Sequence, residues 1–266
     1  MSRDAIAALE AERELVLALI ASLTPEEWEA PSDCAGWRVQ DVVTHMASVF
    51  HQIADPASMP ASVSADAEEN AEVPVTARRS WTPAQVVAEY EQWSTTSIAA
   101  LAGLQDPPLA DTVIPLGNLG HHPMHLLANA LVFDHYCHLR HDLLAPHGPL
   151  VRPPLPSDDL RLVPTMTWML AGLPQMCAGA LGGMDRPVNL VFDGPGGGTW
   201  VLQPPGADEL TVVEVGPAAR AAATVTSTAH DFVCWGTKRR DWRTQAVLVA
   251  GDADYAASVL DGINII

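Results

Sequence analysis

The chain has 266 residues, 48% of them apolar and only 17% charged, a balance that supports a buried core and excludes extended disorder. Its 32 acidic against 14 basic side chains leave a net charge of −18, which would repel a phosphate backbone and excludes a nucleic-acid surface. No apolar run approaches the ~20 residues of a membrane span, and no secretory segment is expected ahead of the charged stretch that begins at Glu10. Cys34, Cys137, Cys177 and Cys234 lie far apart with no Cys-x-x-Cys pair, so reduced thiols and a cytoplasmic location are expected.

Ile6, Leu9, Leu15, Leu17, Leu19 and Ile20 among charges predict an amphipathic helix over about 3–22. Thr24-Pro25-Glu26-Glu27 reads as a capped helix start with proline at the first position. A loop over 31–36 and a second helix over 39–53 come next. Residues 55–79, with Pro56, Pro60, Pro74 and four acids, predict a long loop. Thr82-Pro83 opens a third helix that reaches about Leu104, with Pro107-Pro108 at its exit. A fourth is expected from 120–123 through His141 to about Leu144, where Pro146, Gly148 and Pro149 stop it.

The proline-rich stretch 153–156 reads as a linker between a domain of residues 1–150 and a second of residues 157–266. In the second, a helical stretch over 157–181 precedes short strands over 188–192, 199–202, 211–215, 222–225 and 247–249. Residues 193–198 predict a hairpin turn; the glycines there lack the strand-then-helix setting and the lysine of a phosphate loop. Ser227 or Thr228 caps a helix through Trp235, and Asp252 caps a last one to Leu260. The expected fold class is α+β, a four-helix bundle followed by a small α+β domain.

The fourth predicted helix holds six of the ten histidines: His121, His122, His125, His135, His138 and His141. Asp134 and His138 stack one turn apart on one face. Leu127 and Leu131 share that stripe, so it points into a core, where a carboxylate and an imidazole need partners. A metal is one way to supply them; a hydrogen bond between the two, or to backbone, is the other. His125 is about half a rotation out of phase with Asp134, so neither it nor His121 can share an ion with that pair on a regular helix. His135 and His141 fall on the flanks, with His141 a candidate to support a ligand. His45, between Val43 and Met46 on the second predicted helix, reads as a core histidine or as a third ligand. Two histidines and one carboxylate leave a coordination position open, as in catalytic zinc or iron sites.

Cys137 points about 100° away from His138 and reads as a buried structural thiol. Cys34 carries no activating neighbour in sequence, and Trp37 reads as a packing anchor. Lys238-Arg239-Arg240 with Arg243 reads as a solvated helix end or as an anion clamp for a carboxylate substrate, with Arg239 and Arg240 its candidates.

The run from Trp37 to His45 (WRVQDVVTH), after Cys34-Ala35-Gly36, resembles the metal-binding second helix of the mycothiol-dependent maleylpyruvate isomerase family, which belongs to the DinB-like four-helix-bundle metalloproteins. The family's later Glu-x-x-x-His segment, followed shortly by an aspartate, is similar to Asp134-His135-Tyr136-Cys137-His138 with Asp142. The region from about Pro187 through Gly251-Asp252 to Ile266 resembles the family's second domain, related to sterol carrier proteins.

This resemblance implies metal ligands at His45, Asp134 and His138, a divalent metal, usually zinc, and mycothiol as a co-substrate whose thiol the metal activates. It implies an isomerase of a small carboxylate or a transferase that adds the thiol to small electrophiles, at a cleft between the domains and with no protein nucleophile. The sequence departs from the family pattern at three places: Asp134 stands where glutamate is more common, Arg38 where a serine or threonine often caps the helix, and Thr237 where an arginine commonly follows the glycine. The nearest arginines are Arg239 and Arg240. A non-catalytic ligand-binding protein and a metal-dependent hydrolase using water are the other function classes considered.

Overall fold

The computed structural model of the protein describes residues 3–205, 210–216 and 220–266. The chain divides into two compact units, Met1–Pro156 and Ser157–Ile266.

The first unit opens with α1 (Arg3–Ile20) and a single-turn α2 (Pro25–Glu29). Thr24 Oγ1 accepts from the Glu27 amide while the Glu27 carboxylate accepts from the Thr24 amide, closing the start of α2 reciprocally. α3 (Val39–Ala54) buries Val39, Val42, Val43, Met46, Ala47 and Phe50, a stripe at helical spacing. At its start the Asp41 carboxylate accepts from the Arg38 amide (2.9 Å) and from both sides of the Arg38 guanidinium (3.1 and 3.0 Å). Arginine at this cap is thereby accommodated through Asp41.

The long loop expected over 55–79 is interrupted by a helix, α4 (Ala67–Arg78). Asp66 caps it by accepting from the Glu68 and Glu69 amides (2.9 and 3.1 Å). Only Val75 and Arg78 of this helix are buried, so no apolar stripe announces it in the sequence. α5 (Pro83–Gly103) comes next, capped by Thr82 and Gln85 in the same reciprocal way as α2.

The fourth helix starts later than expected. β1 (Val113–Pro115) and β2 (His121–Pro123) form an antiparallel hairpin that pairs Ile114 with His122. Gly117 and Gly120 take φ of +61° and +101° between these strands, a backbone that side chains disfavour. α6 (Leu126–Cys137) then runs into a π-helical segment, His138–Leu143, whose register shows in the bond from the Leu144 amide to the Leu139 carbonyl (3.2 Å). α1, α3, α5 and α6 enclose the core, with Leu9, Val16, Val43, Phe50, Tyr90, Leu101, Val132, Leu139 and Leu143 all fully buried.

The second unit begins with α7 (Asp159–Met176), capped by Asp158, and a short α8 (Ala178–Leu181). Five strands come after them, β3 (Val188–Asp193), β4 (Gly198–Gln203), β5 (Thr211–Val215), β6 (Ala223–Thr228) and β7 (Leu248–Gly251). Among the described residues they form one sheet in the order β5-β4-β3-β6-β7, in which β3/β6 is parallel and β3/β4, β4/β5 and β6/β7 are antiparallel. The glycine run is the β3–β4 turn, held to the first turn of α7 by the Gly196 amide donating to Asp159 (2.7 Å). α9 (Ala229–Gly236) and α10 (Ala253–Gly262) pack on the sheet, and Phe192, Phe232 and Trp235 stack into its core. The architecture is α+β, a helical bundle followed by a small sheet domain.

Candidate metal centre

Three side chains from three elements converge inside the first unit. His45 comes from the middle of α3, Asp134 from the last turn of α6, and His138 from the first position of the π-helical segment. His45 Nε2 lies 2.9 Å from Asp134 Oδ1, and His138 Nε2 lies 3.4 Å from that same oxygen. One ligand atom from each of the three residues lies within 4.8 Å of the other two. A tetrahedral ion with bonds of about 2.0–2.1 Å holds its ligand atoms roughly 3.3–3.4 Å apart. Their side-chain exposures of 12%, 20% and 10% make the group largely but not fully buried.

The donor set fits a metal on two further grounds. Asp134 Oδ2 and His45 Nδ1 are buried with no hydrogen-bond partner, an expensive arrangement for a polar atom. His135 Nδ1, 3.4 Å from that orphaned oxygen, already donates to the Leu131 carbonyl. His138 also has the support that metal-binding imidazoles use: its Nδ1–H donates to Asp142 Oδ2 at 2.7 Å, which fixes the ring and leaves Nε2 facing Asp134.

Charge is balanced to match. Burial opposes ionisation of Asp134, but the His45 and His138 imidazoles, with His135 close by, hold its carboxyl well below the usual carboxylate range. Burial likewise opposes a charged His138, yet the Asp134 carboxylate and hydrogen bonds involving Asp134, Asp142 and Cys34 push it well above the usual imidazole range. The two shifts have a common cause, the opposed charges of Asp134 and His138 held side by side.

Surrounding residues brace these three side chains. The Trp37 ring lies 5.3 Å from that of His45, and its indole N–H donates to Glu72 of α4 (2.6 Å). Cys34 Sγ lies 3.8 Å from His138 Nδ1, so Cys34, His138 and Asp142 form a second cluster of metal-competent atoms. That set would need the nitrogen already engaged by Asp142, whereas the His45 set uses the other one; the His45 set is the better site.

His121, His122, His125 and His141 lie outside this group. His122 Nε2 donates to the Leu119 carbonyl and His125 Nδ1 to the Ala110 carbonyl, both at 2.8 Å. His121 and His122 lie on a strand rather than a helix. His141 is buried with its ring 6.4 Å from that of Tyr136; the hydrogen bond that orients His138 comes from Asp142. Cys137 is buried. In the second unit, Arg240 donates to the Arg239 carbonyl, and Arg243 makes two bonds to Asp261 (2.6 and 2.8 Å). A 260 Å³ cavity there is lined by Lys238, Arg240, Asp241, Trp242, Arg243 and Asp261.

The Asp142 contact is testable. Asp142→Ala is expected to weaken metal binding roughly 10–100-fold while saturating at the same stoichiometry, as read by competition with a chromogenic chelator.

Among known proteins, the mycothiol maleylpyruvate isomerase N-terminal domain matches residues 9–141, half of the chain. A crystal structure of the mycothiol-dependent maleylpyruvate isomerase shares the fold with a TM-score of 0.57 and 14% identity, over 92% of this chain and 91% of that one. A histidine-to-alanine mutant of that enzyme aligns over the same shares with a TM-score of 0.56 and 14% identity. A search of curated proteins finds no match. By the match that runs from α1 into the segment holding His138 and His141, the chain belongs to the mycothiol maleylpyruvate isomerase family.

Proposed function

We propose that the protein is a metal- and thiol-dependent enzyme that isomerises a small unsaturated carboxylate or adds a thiol to a small electrophile. The observation that supports this best is the convergence of His45 Nε2 and His138 Nε2 on one oxygen of Asp134, in a chain of this family. Those three residues would hold a divalent cation, with zinc favoured by the nitrogen-rich set and the open position. Bound there, the cation supplies Lewis-acid stabilisation that lets a thiol ionise near neutral pH; mycothiol is the co-substrate proposed.

The protein's own residues supply position and charge. Asp142 holds His138 in one tautomer and orientation, and Trp37 packs on the His45 ring. Arg239 and Arg240 are the proposed cations for a substrate carboxylate, through guanidinium recognition. No helix among the described residues is long and apolar enough to cross a membrane, and a reducing, cytoplasmic setting suits the dispersed cysteines.

Assay of the zinc-loaded protein against maleylpyruvate and a panel of electrophiles, with and without mycothiol, tests the reading. Turnover should require the thiol and be lost on chelation. Equal turnover without thiol overturns the thiol role, and chelator-resistant turnover overturns the metal role.

The raised His138 pKa sets a pH dependence for metal loading. Below that pKa the imidazole carries a proton that a cation must displace, while Asp134, with its lowered pKa, stays ionised. Apparent zinc affinity should therefore rise about tenfold per pH unit and level off once pH exceeds the His138 pKa. Isothermal titration at several pH values checks the slope.

A further inference from the structure

The π-helical segment that carries His138 and Asp142 is anchored by a buried ion pair that the proposed chemistry does not use. We infer that Glu12 and Arg140 form a clamp that sets the register of His138–Leu143 and so positions His138 and Asp142 at the metal centre, an inference that rests on the metal reading above. Glu12, in the middle of α1, is fully buried, and the Arg140 side chain is 4% exposed. The two meet fork to fork, Nη1 to Oε2 and Nη2 to Oε1, both at 2.9 Å.

The guanidinium is used in full. Its other hydrogen bonds go to the Pro156 carbonyl from Nη2 (2.7 Å) and Nε (3.2 Å), and to the Tyr136 carbonyl from Nη1 (3.5 Å). Its plane also lies 3.9 Å over the Tyr136 ring. In an α-helix the Tyr136 carbonyl is the one residue 140 would reach through its own amide. Here the Arg140 side chain donates to it, in the stretch where the register changes from α to π.

Register decides the site because Arg140 sits between His138 and Asp142. Each residue of slippage on a helix rotates the downstream side chains by about 100°, enough to take Asp142 Oδ2 away from His138 Nδ1. The far end of the segment is pinned by backbone: the Asp33 amide donates to the Asp142 carbonyl and the Leu150 amide to the Leu143 carbonyl, both at 3.0 Å. Gly148 packs so closely there that a Cβ would stand 2.2 Å from the Leu143 carbonyl carbon and 2.6 Å from the Asp142 carbonyl oxygen. The clamp fixes the near end. A buried ion pair is no better for stability than a well-packed apolar pair, so position is its more distinctive contribution.

The test is Co(II) titration followed by visible absorption, on the full chain carrying Glu12→Leu with Arg140→Met, and separately Arg140→Lys. The apolar pair removes both charges together, and lysine keeps the charge but not the fork. Thermal melts establish that each variant is folded. The wild type should bind about one Co(II) per chain; each folded variant should bind at least tenfold more weakly with an altered visible spectrum. Wild-type affinity and spectrum in either folded variant overturn the inference while leaving the metal reading intact. A wild-type chain that binds no Co(II) overturns the metal reading and the clamp with it.

Discussion

His138→Ala should empty the metal centre, lowering bound zinc from about one per chain to near zero after dialysis, as measured by elemental analysis. His138 is the pivot of the site: Nε2 faces Asp134 while Nδ1 is held by Asp142. Its removal takes away one of three ligands and leaves two carboxylates, Asp134 and Asp142, without the imidazole between them. Loss of an outer hydrogen-bond partner alone costs roughly 10–100-fold in affinity, so loss of the ligand should exceed about 100-fold. Thiol-dependent turnover should fall at least as far. His45→Ala should behave alike, because its Nε2 makes the shortest contact to the shared oxygen. Stoichiometric zinc in both variants would refute the ligand assignment.

Aspartate at position 134 is compatible with this geometry. A carboxylate one methylene shorter than glutamate must start nearer to its target. Asp134 meets that demand from the last turn of α6, placing one oxygen 2.9 Å from His45 on α3 and 3.4 Å from His138 on the adjoining π-helical segment. The α-to-π change begins one turn after Asp134, so the short carboxylate and the altered register occur together.

The parts of the fold legible in sequence are those announced by local chemistry. Thr24-Pro25 and Thr82-Pro83 mark helix starts through caps that the structure contains, and the glycines between β3 and β4 mark their turn. The bundle stripe on α3 arises from Val39, Val42, Val43, Met46 and Phe50. The three proposed ligands are also named from the sequence, Asp134 and His138 by spacing and His45 through the family resemblance, and the fold brings them together. Asp142 is visible as part of the motif, but its hydrogen bond to His138 is not.

The hidden parts depend on contacts distant in sequence. On α1 the buried face is Ala5, Ala8, Leu9, Val16, Leu19 and Ile20, with Glu12 inside it; a lone acid on an apolar stripe is the available signal of a buried partner, Arg140. The β1–β2 hairpin is masked because His121 and His122 resemble the start of a helix, although Gly117 and Gly120 supply the backbone it needs. The π register has no period in sequence that separates it from an α-helix over six residues.

α4 is hidden for a reason that yields the largest stability effect. Its inward attachment is ionic: Arg78 donates to Glu89 of α5 from Nε (2.9 Å) and Nη2 (2.7 Å), and His51 of α3 donates from Nδ1 to the same carboxylate (2.7 Å). His51 is stacked on Trp93 at 4.2 Å, and Arg78 lies over Trp81. Arg78 and Glu89 side chains are 8% and 4% exposed, so neither charge can turn to water without moving its helix. Glu89→Ala should therefore destabilise the first unit by about 3–5 kcal/mol, the range for stranding a buried charge, read as a lower denaturation midpoint followed by tryptophan fluorescence. Replacing both members, Arg78→Met with Glu89→Leu, should cost less than Glu89→Ala alone, because no charge is left stranded. A double variant less stable than the single would mean that the ion pair itself, rather than avoidance of an unpaired charge, holds α4 to α5.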